Sequence, residues 1–428
     1  MSAVPEPVVN PVRLLTGRAV GGPVSRSLLA AYFGVASAAW LGATVAGIVA
    51  AGDLAANQPL SAAPVLAVHL VTLGALPFAV SGASFHLLPV MLRNDLPSQR
   101  ALWLALPLLG GGFVVAAGMA SATHPAVWVG AGLVTCGLAI VLWEIAMLVA
   151  RAPQGRMLIA SRLGVALSAG HVVVALCLGA VIFSQDAPFA GVAYGRWLLV
   201  HLQIGLLGWI AVLVVTIGRS LVPMLAQAPT APSRSRPLQE VSLVAGLWVL
   251  LAGIAVGNRA VTLAGGVAVV LSLGSFARLL LRIALQRRGA FEAPLAHLLV
   301  GGLFLAQAAG VGLTAAAGAG GRRLVIGYVV LLLVGWAAGV VLGHAAKLLS
   351  LSLWVWWPPG PRPKQVDLYP RRLGLVETLA FAAGVEVLAA GIVAGSQNAA
   401  RVGATVLCAS AVLTAATVLV TWSRRSRA

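Results

Sequence analysis

The sequence predicts an all-α integral membrane protein of about twelve transmembrane helices, arranged as a pseudo-threefold repeat of a four-helix unit. Three observations carry this. Of 428 residues, 60% are hydrophobic and 9% charged, with mean hydropathy +0.99, a composition that water does not solvate as a globule. Apolar runs long enough to cross about 30 Å of hydrocarbon recur along the chain, and at that length they are helices, not barrel strands. Finally, the second run, HLVTLGALPFAVSGASFHLLPVML, lies without a gap on the sixth after a slide of 134 residues, and on the tenth after 261.

Residues 1–26 are polar and proline-bearing, lack the apolar core of a cleaved signal, and read as a cytoplasmic N-terminal segment. Residues 27–422 form one transmembrane domain, with spans expected at 27–51, 62–92, 101–121, 126–150, 158–184, 197–225, 238–256, 260–284, 293–317, 324–352, 373–395 and 402–422. Residues 423–428 are a basic tail. The repeats fall at about 27–150, 158–284 and 293–422. In the repeat frame Gly74, Gly208 and Gly335 coincide, Pro89 meets Pro223, and Gly82 meets Gly343. Aligned glycines of this kind admit a close helix or a flat ligand.

The net charge of +18 raises the question of nucleic acid, but the basic residues follow topology instead. With the N-terminus inside, clusters such as Arg93 and Arg100, Arg287 and Arg288, and Arg371 and Arg372 are cytoplasmic. Only Arg196, Arg259, Arg322, Arg323 and Arg401 are outside. This positive-inside pattern needs an even number of spans and puts both termini in the cytoplasm. The lipid bilayer is then the partner, and nucleic acid is not. Cys136, Cys177 and Cys408 are scattered over three spans and read as small core hydrophobes. No phosphate loop, dinucleotide fingerprint, nucleophile elbow or HExxH is present.

Chemistry is confined to a few polar residues in apolar spans. His69 and His201 lie within about 3 Å of the same level near the outer ends of the second and sixth spans, with Tyr328 at the matching place in the tenth. His171 and His297 are approximate repeat mates, with His171 in reach of the outer pair. His86, 17 residues beyond His69, is about 25 Å away along the helix and belongs near the cytoplasmic side with His344 and Lys347, where it is expected to pair. His124 is interfacial. Glu144 and Glu386 are the acids set deepest in the spans, and a carboxylate there implies a proton path or a partner. Each of these histidines has a plain structural reading as well, because an imidazole in hydrocarbon is satisfied by hydrogen bonding across helices.

Twelve spans, threefold repetition and outer histidines on spans two and six resemble subunit I of the haem-copper oxidase superfamily. The resemblance is closer to its single-subunit relatives, the NnrS-like haem and copper membrane proteins of nitric-oxide response. It is carried by His69 to Leu92, by VHLQIGLLGW from Val200 to Trp209, and by the region from Gly335 to Leu375. It implies that His69 matches a haem ligand and His201 a copper ligand. It also implies haem and/or copper as cofactor, a redox partner protein, and residence in a bacterial inner membrane with a role in electron transfer, nitric-oxide or metal handling. The adjacent histidine pair of an oxidase would fall in the seventh span, which has none, so a complete dioxygen-reducing centre is not expected. The alternative is a transporter-like bundle moving a small solute or metal, in which the histidines are structural.

Overall fold

A computed structural model describes residues 24–92, 94–96, 98–151, 156–184, 192–228, 236–289, 291–355, 357, 361 and 363–424. Among these residues the secondary structure is helical throughout, and twelve helices are long and apolar enough to cross a membrane. They are α1 Arg26–Ala55, α2 Ala62–Pro89, α3 Gln99–Ala120, α4 His124–Arg151, α5 Arg162–Ser184 and α6 Tyr194–Pro223, followed by α7 Leu238–Val256, α8 Arg259–Leu285, α9 Ala293–Ala316, α10 Gly321–Val355, α11 Arg371–Ala394 and α12 Gln397–Ser423. Each lies within a few residues of its expected place. Below, the end at which α1 begins is the near face and the opposite end the far face.

Helix starts are written locally. Ser25, Ser98, Asn258 and Ser396 each accept a hydrogen bond from the backbone N–H three residues on, satisfying a donor that has no partner within the helix. The stop after α11 is Gly395, at φ 71°, where a side chain would be strained.

Lipid tails are as apolar as leucine, so helices associate through close packing, and glycine sets the distance. In each four-helix unit the last two helices form a tight hairpin. Gly111, Gly118 and Gly130 knit α3 to α4; Gly246, Gly253 and Gly265 knit α7 to α8; Gly384, Gly391 and Gly403 knit α11 to α12. The spacing of seven and then twelve residues is identical in the three hairpins. A Cβ added to Gly384 would stand 2.6 Å from the Leu407 backbone nitrogen, and one on Gly246 2.9 Å from the Ala268 Cβ. Between units, α4 packs on α5, α8 on α9, and α12 on α1.

Helices α2, α6 and α10 share an irregularity. Each passes through a π-helical segment, at Leu70–Ala75, Ile204–Ala211 and Leu331–Ala338. Such segments are rare and concentrate at functional sites. The aligned glycines lie inside them, each with a neighbour's side chain in the space a Cβ would take: Phe113 and Ala39 at Gly74, His171 at Gly208, and Phe304 at Gly335. Eight residues on, Gly82 meets Tyr32, Thr216 meets Gly164, and Gly343 meets His297.

Four of the five far-face arginines have a structural task. Arg401 lies against Gly52, Arg196 against Gly257, Arg259 against Gly318 and Arg323 against Gly395. These glycines are at the C-terminal ends of α1, α7, α9 and α11, where partial negative charge on unpaired carbonyls favours a cation. The cysteines differ from expectation: Cys136 and Cys177 are exposed on the helix flanks and Cys408 is half-buried.

Candidate functional site

His69 stands on the last turn before the first π segment. Its Nδ1 is 2.8 Å from the Val65 carbonyl, one turn back, an arrangement that makes Nδ1 the protonated nitrogen and turns Nε2 outward from the helix. His201 stands just before the second π segment. Its ring lies against Gly179 and near the Ala175 carbonyl of α5, and its Nδ1 makes no hydrogen bond of good geometry. His69 on α2 and His201 on α6 both stand in the turn that precedes a π segment.

A second pair repeats this one. Tyr328 on α10 lies against Gly312 as His201 lies against Gly179, and its hydroxyl donates to Gln203 Oε1 at 2.9 Å. In the slide that carries the second span onto the sixth, Gln203 takes the position of His69; Tyr328 takes that of His201 in the tenth. The polar pair of the first interface, His69 with His201, therefore recurs in the next as Gln203 with Tyr328. The third interface has Val330 and Ala67 at these positions, and the space beside its glycine, Gly47, is open. Tyr328 thus belongs to the neighbouring interface and does not join the histidine pair.

His171 also stands apart. It fills the notch at Gly208, seven residues and roughly 10 Å further along α6 than His201. Its Nδ1 is bound to the Leu167 carbonyl at 2.6 Å, its Nε2 is buried without a hydrogen-bond partner, and its ring centroid is 5.9 Å from that of Trp248. His297 is not its structural counterpart: Phe304 occupies the matching notch, and His297 lies one level nearer the near face, at Gly343. The connection between α9 and α10 is shorter than that between α5 and α6, which shifts the register by several residues.

The near-face half holds a buried polar network on α9 to α12. Glu377 accepts hydrogen bonds from Ser410 and Thr414, both at 2.9 Å, and its other oxygen is 2.5 Å from His297 Nε2. Lys347 pairs with Glu292 at 2.7 Å and lies 5.6 Å over the Tyr369 ring. Tyr369 sits just before α11; burial pushes its phenol well above the ordinary value, and the carboxylates Glu377 and Glu292 add to the effect. His344, with Nδ1 on the Val340 carbonyl at 2.7 Å, lines a cavity of about 20 Å³ with Lys347 and Glu292, room for a water.

His86 departs from expectation, while Glu144 and Glu386 each have a partner. His86 is buried with neither ring nitrogen hydrogen-bonded among the described residues, so the expected pairing near Lys347 is not made. Glu144 accepts from the Ser98 backbone N–H at 2.8 Å and so completes the N-terminus of α3, a fixed structural role. Glu386 is exposed on the outside of α11, where Gln307 donates to it at 3.1 Å; it faces away from any internal path. His124 is at the start of α4, 5.1 Å from the Phe183 ring.

No group of three or more histidine, cysteine, aspartate or glutamate residues suited to a metal occurs among the described residues. The outer pair therefore supplies two donors. By donor chemistry, the His69 and His201 imidazoles would be the residues to hold copper or haem iron. No protein-family model and no curated protein matches the chain. The sequence reading missed Gln203, Gly179, Gly312 and the hydroxyls of Ser410 and Thr414. The repeat slide alone was able to identify Gln203, since it carries His69 onto that position.

Proposed function

We propose that the protein is a membrane metalloprotein of the bacterial inner membrane, holding copper or haem iron between His69 and His201 and serving electron transfer, nitric-oxide handling or metal handling. On this reading the three four-helix units stand around a pseudo-threefold axis as in haem-copper oxidase subunit I, without the dioxygen-reducing centre. The observation that carries it is the equivalence of the two interfaces. At one, the Gln203 and Tyr328 side chains meet in a hydrogen bond; at the other, the same two positions hold the imidazoles of His69 and His201. The Val65 carbonyl orients His69 as a ligand histidine is commonly oriented, through its other ring nitrogen. The bound metal would supply one-electron chemistry; the chain's part is to hold two imidazoles at one level of α2 and α6.

The test is metal analysis and an optical spectrum on the purified wild type and three variants. Wild type is expected to carry copper or haem. His69→Ala and His201→Ala should each lower retention about tenfold or more, on the scale of losses that follow even indirect changes to a metal site. His86→Ala should retain the wild-type content. Equal content in wild type and both outer variants would remove the metal from this site. A carrier is the second reading, favoured by the small near-face cavity beside His344, Lys347 and Glu292, and solute uptake into vesicles that is abolished by Lys347→Ala would support it.

A further inference from the structure

An apolar cavity of about 310 Å³ lies between the second and third units, walled by α6, α7 and α8 on one side and α9 and α10 on the other. It runs along α8 from Thr262 to Ala277 and along α9 from Gly302 to Ala316, a length of roughly 20 Å. Gly274 and Ala306 on its lining are exposed on the outside of the bundle, so it opens sideways towards lipid. Gln203 and Tyr328 stand on its inner wall.

Gln203 is only 3% exposed. Its oxygen is taken by the Tyr328 hydroxyl, its amide nitrogen makes no hydrogen bond among the described residues, and the residue lines the cavity. A primary amide carries two N–H donors, and leaving them without an acceptor in apolar surroundings is unfavourable. What the cavity lacks is an acceptor oxygen. No charged residue lines it, which excludes a carboxylate or phosphate as the group that meets the amide. Gln203 also lies roughly 14 Å along α6 from the far-face start at Tyr194, deeper than a phospholipid headgroup can follow while its charge stays at the interface. The wall opposite includes the small residues Gly302, Ala306 and Ala309 of α9.

We infer that this cavity binds a neutral membrane lipid of the prenylquinone class. A ring carbonyl accepts from the Gln203 amide, the ring lies on the small-residue wall of α9, and the tail leaves through the opening between α8 and α9. The inference stands apart from the metal site, because neither His69 nor His201 lines the cavity.

The experiment uses the full chain in detergent and a decyl-chain benzoquinone bearing a diazirine. Saturable photolabelling of peptides from α8 and α9, displaced by unlabelled quinone, is expected. Gln203→Leu should weaken it about tenfold. Ala309→Trp, which fills the cavity while leaving the polar pair intact, should abolish labelling, and His69→Ala should leave it unchanged whatever the metal content. Labelling that does not saturate, that is equal in wild type, Gln203→Leu and Ala309→Trp, or that a phospholipid displaces as well as a quinone does, would overturn the assignment.

Discussion

Gly179 and Gly312 each leave a notch that a ring from the next helix enters, His201 in one and Tyr328 in the other. The absent side chain thus sets the height and direction of a functional group on a different helix. A Cβ on Gly179 would stand 2.9 Å from His201 Cε1, so Gly179→Val should push the imidazole out of place and lower metal retention severalfold while the protein still folds. Gly47→Ala, with open space at the equivalent position, should leave retention unchanged in the same metal analysis. Tyr369 gives a pH signature. Its folded-state proton is held above the ordinary tyrosine value of about 10, so above that pH the unfolded chain binds fewer protons than the folded one, and stability falls as pH rises. Thermal unfolding midpoints between about pH 9 and 11 should drop more steeply in wild type than in Tyr369→Phe. His69 and His201 were legible in the sequence because an imidazole is conspicuous in a run of leucine and valine. Gln203 shows only through the repeat slide that carries His69 onto it, and its partner Tyr328 is 125 residues away.

The hairpins show why helix positions were easier to read than helix contacts. Hydropathy alone locates twelve spans, since each must cross the same thickness. The glycine spacing that joins α3 to α4, α7 to α8 and α11 to α12 was equally present in the sequence, yet 49 glycines in one chain mask any particular set. Only the packing separates Gly246, Gly384 and their equivalents from Gly132, which has nothing within 4 Å of an added Cβ. Gly384→Leu should therefore destabilise the protein by about 3 kcal/mol or more, by forcing apart a backbone contact that cannot yield. Gly132→Ala should be neutral or stabilise by about 0.5 kcal/mol, through reduced backbone entropy in the unfolded chain. Midpoints of detergent-solubilised unfolding compare the two. The π segments were invisible to hydropathy for a related reason: they change the number of residues per turn without changing which residues are apolar.

At the scale of the molecule, the charge asymmetry predicts which face meets which compartment. After the native cysteines are replaced, Gln58→Cys at the far face should react with an impermeant maleimide from the periplasmic side, and Lys364→Cys at the near face should react only after permeabilisation. The reverse pattern would invert the orientation. The charges were legible, but the reason that arginines stand on the sparsely charged face was not: it lies in helix ends contributed by other parts of the chain, as where Arg401 reaches Gly52. That contact has a consequence for chain connectivity. Because α12 lies alongside α1 over much of its length, the start of α1 and the end of α12 are neighbours on the near face. A gene rearranged to begin at Arg156 and finish at Arg151, with the old ends fused through a short polar linker, would keep twelve crossings and both ends on the same side. It would be expected to insert and assemble as the parent does, as a circular permutant of a closed ring.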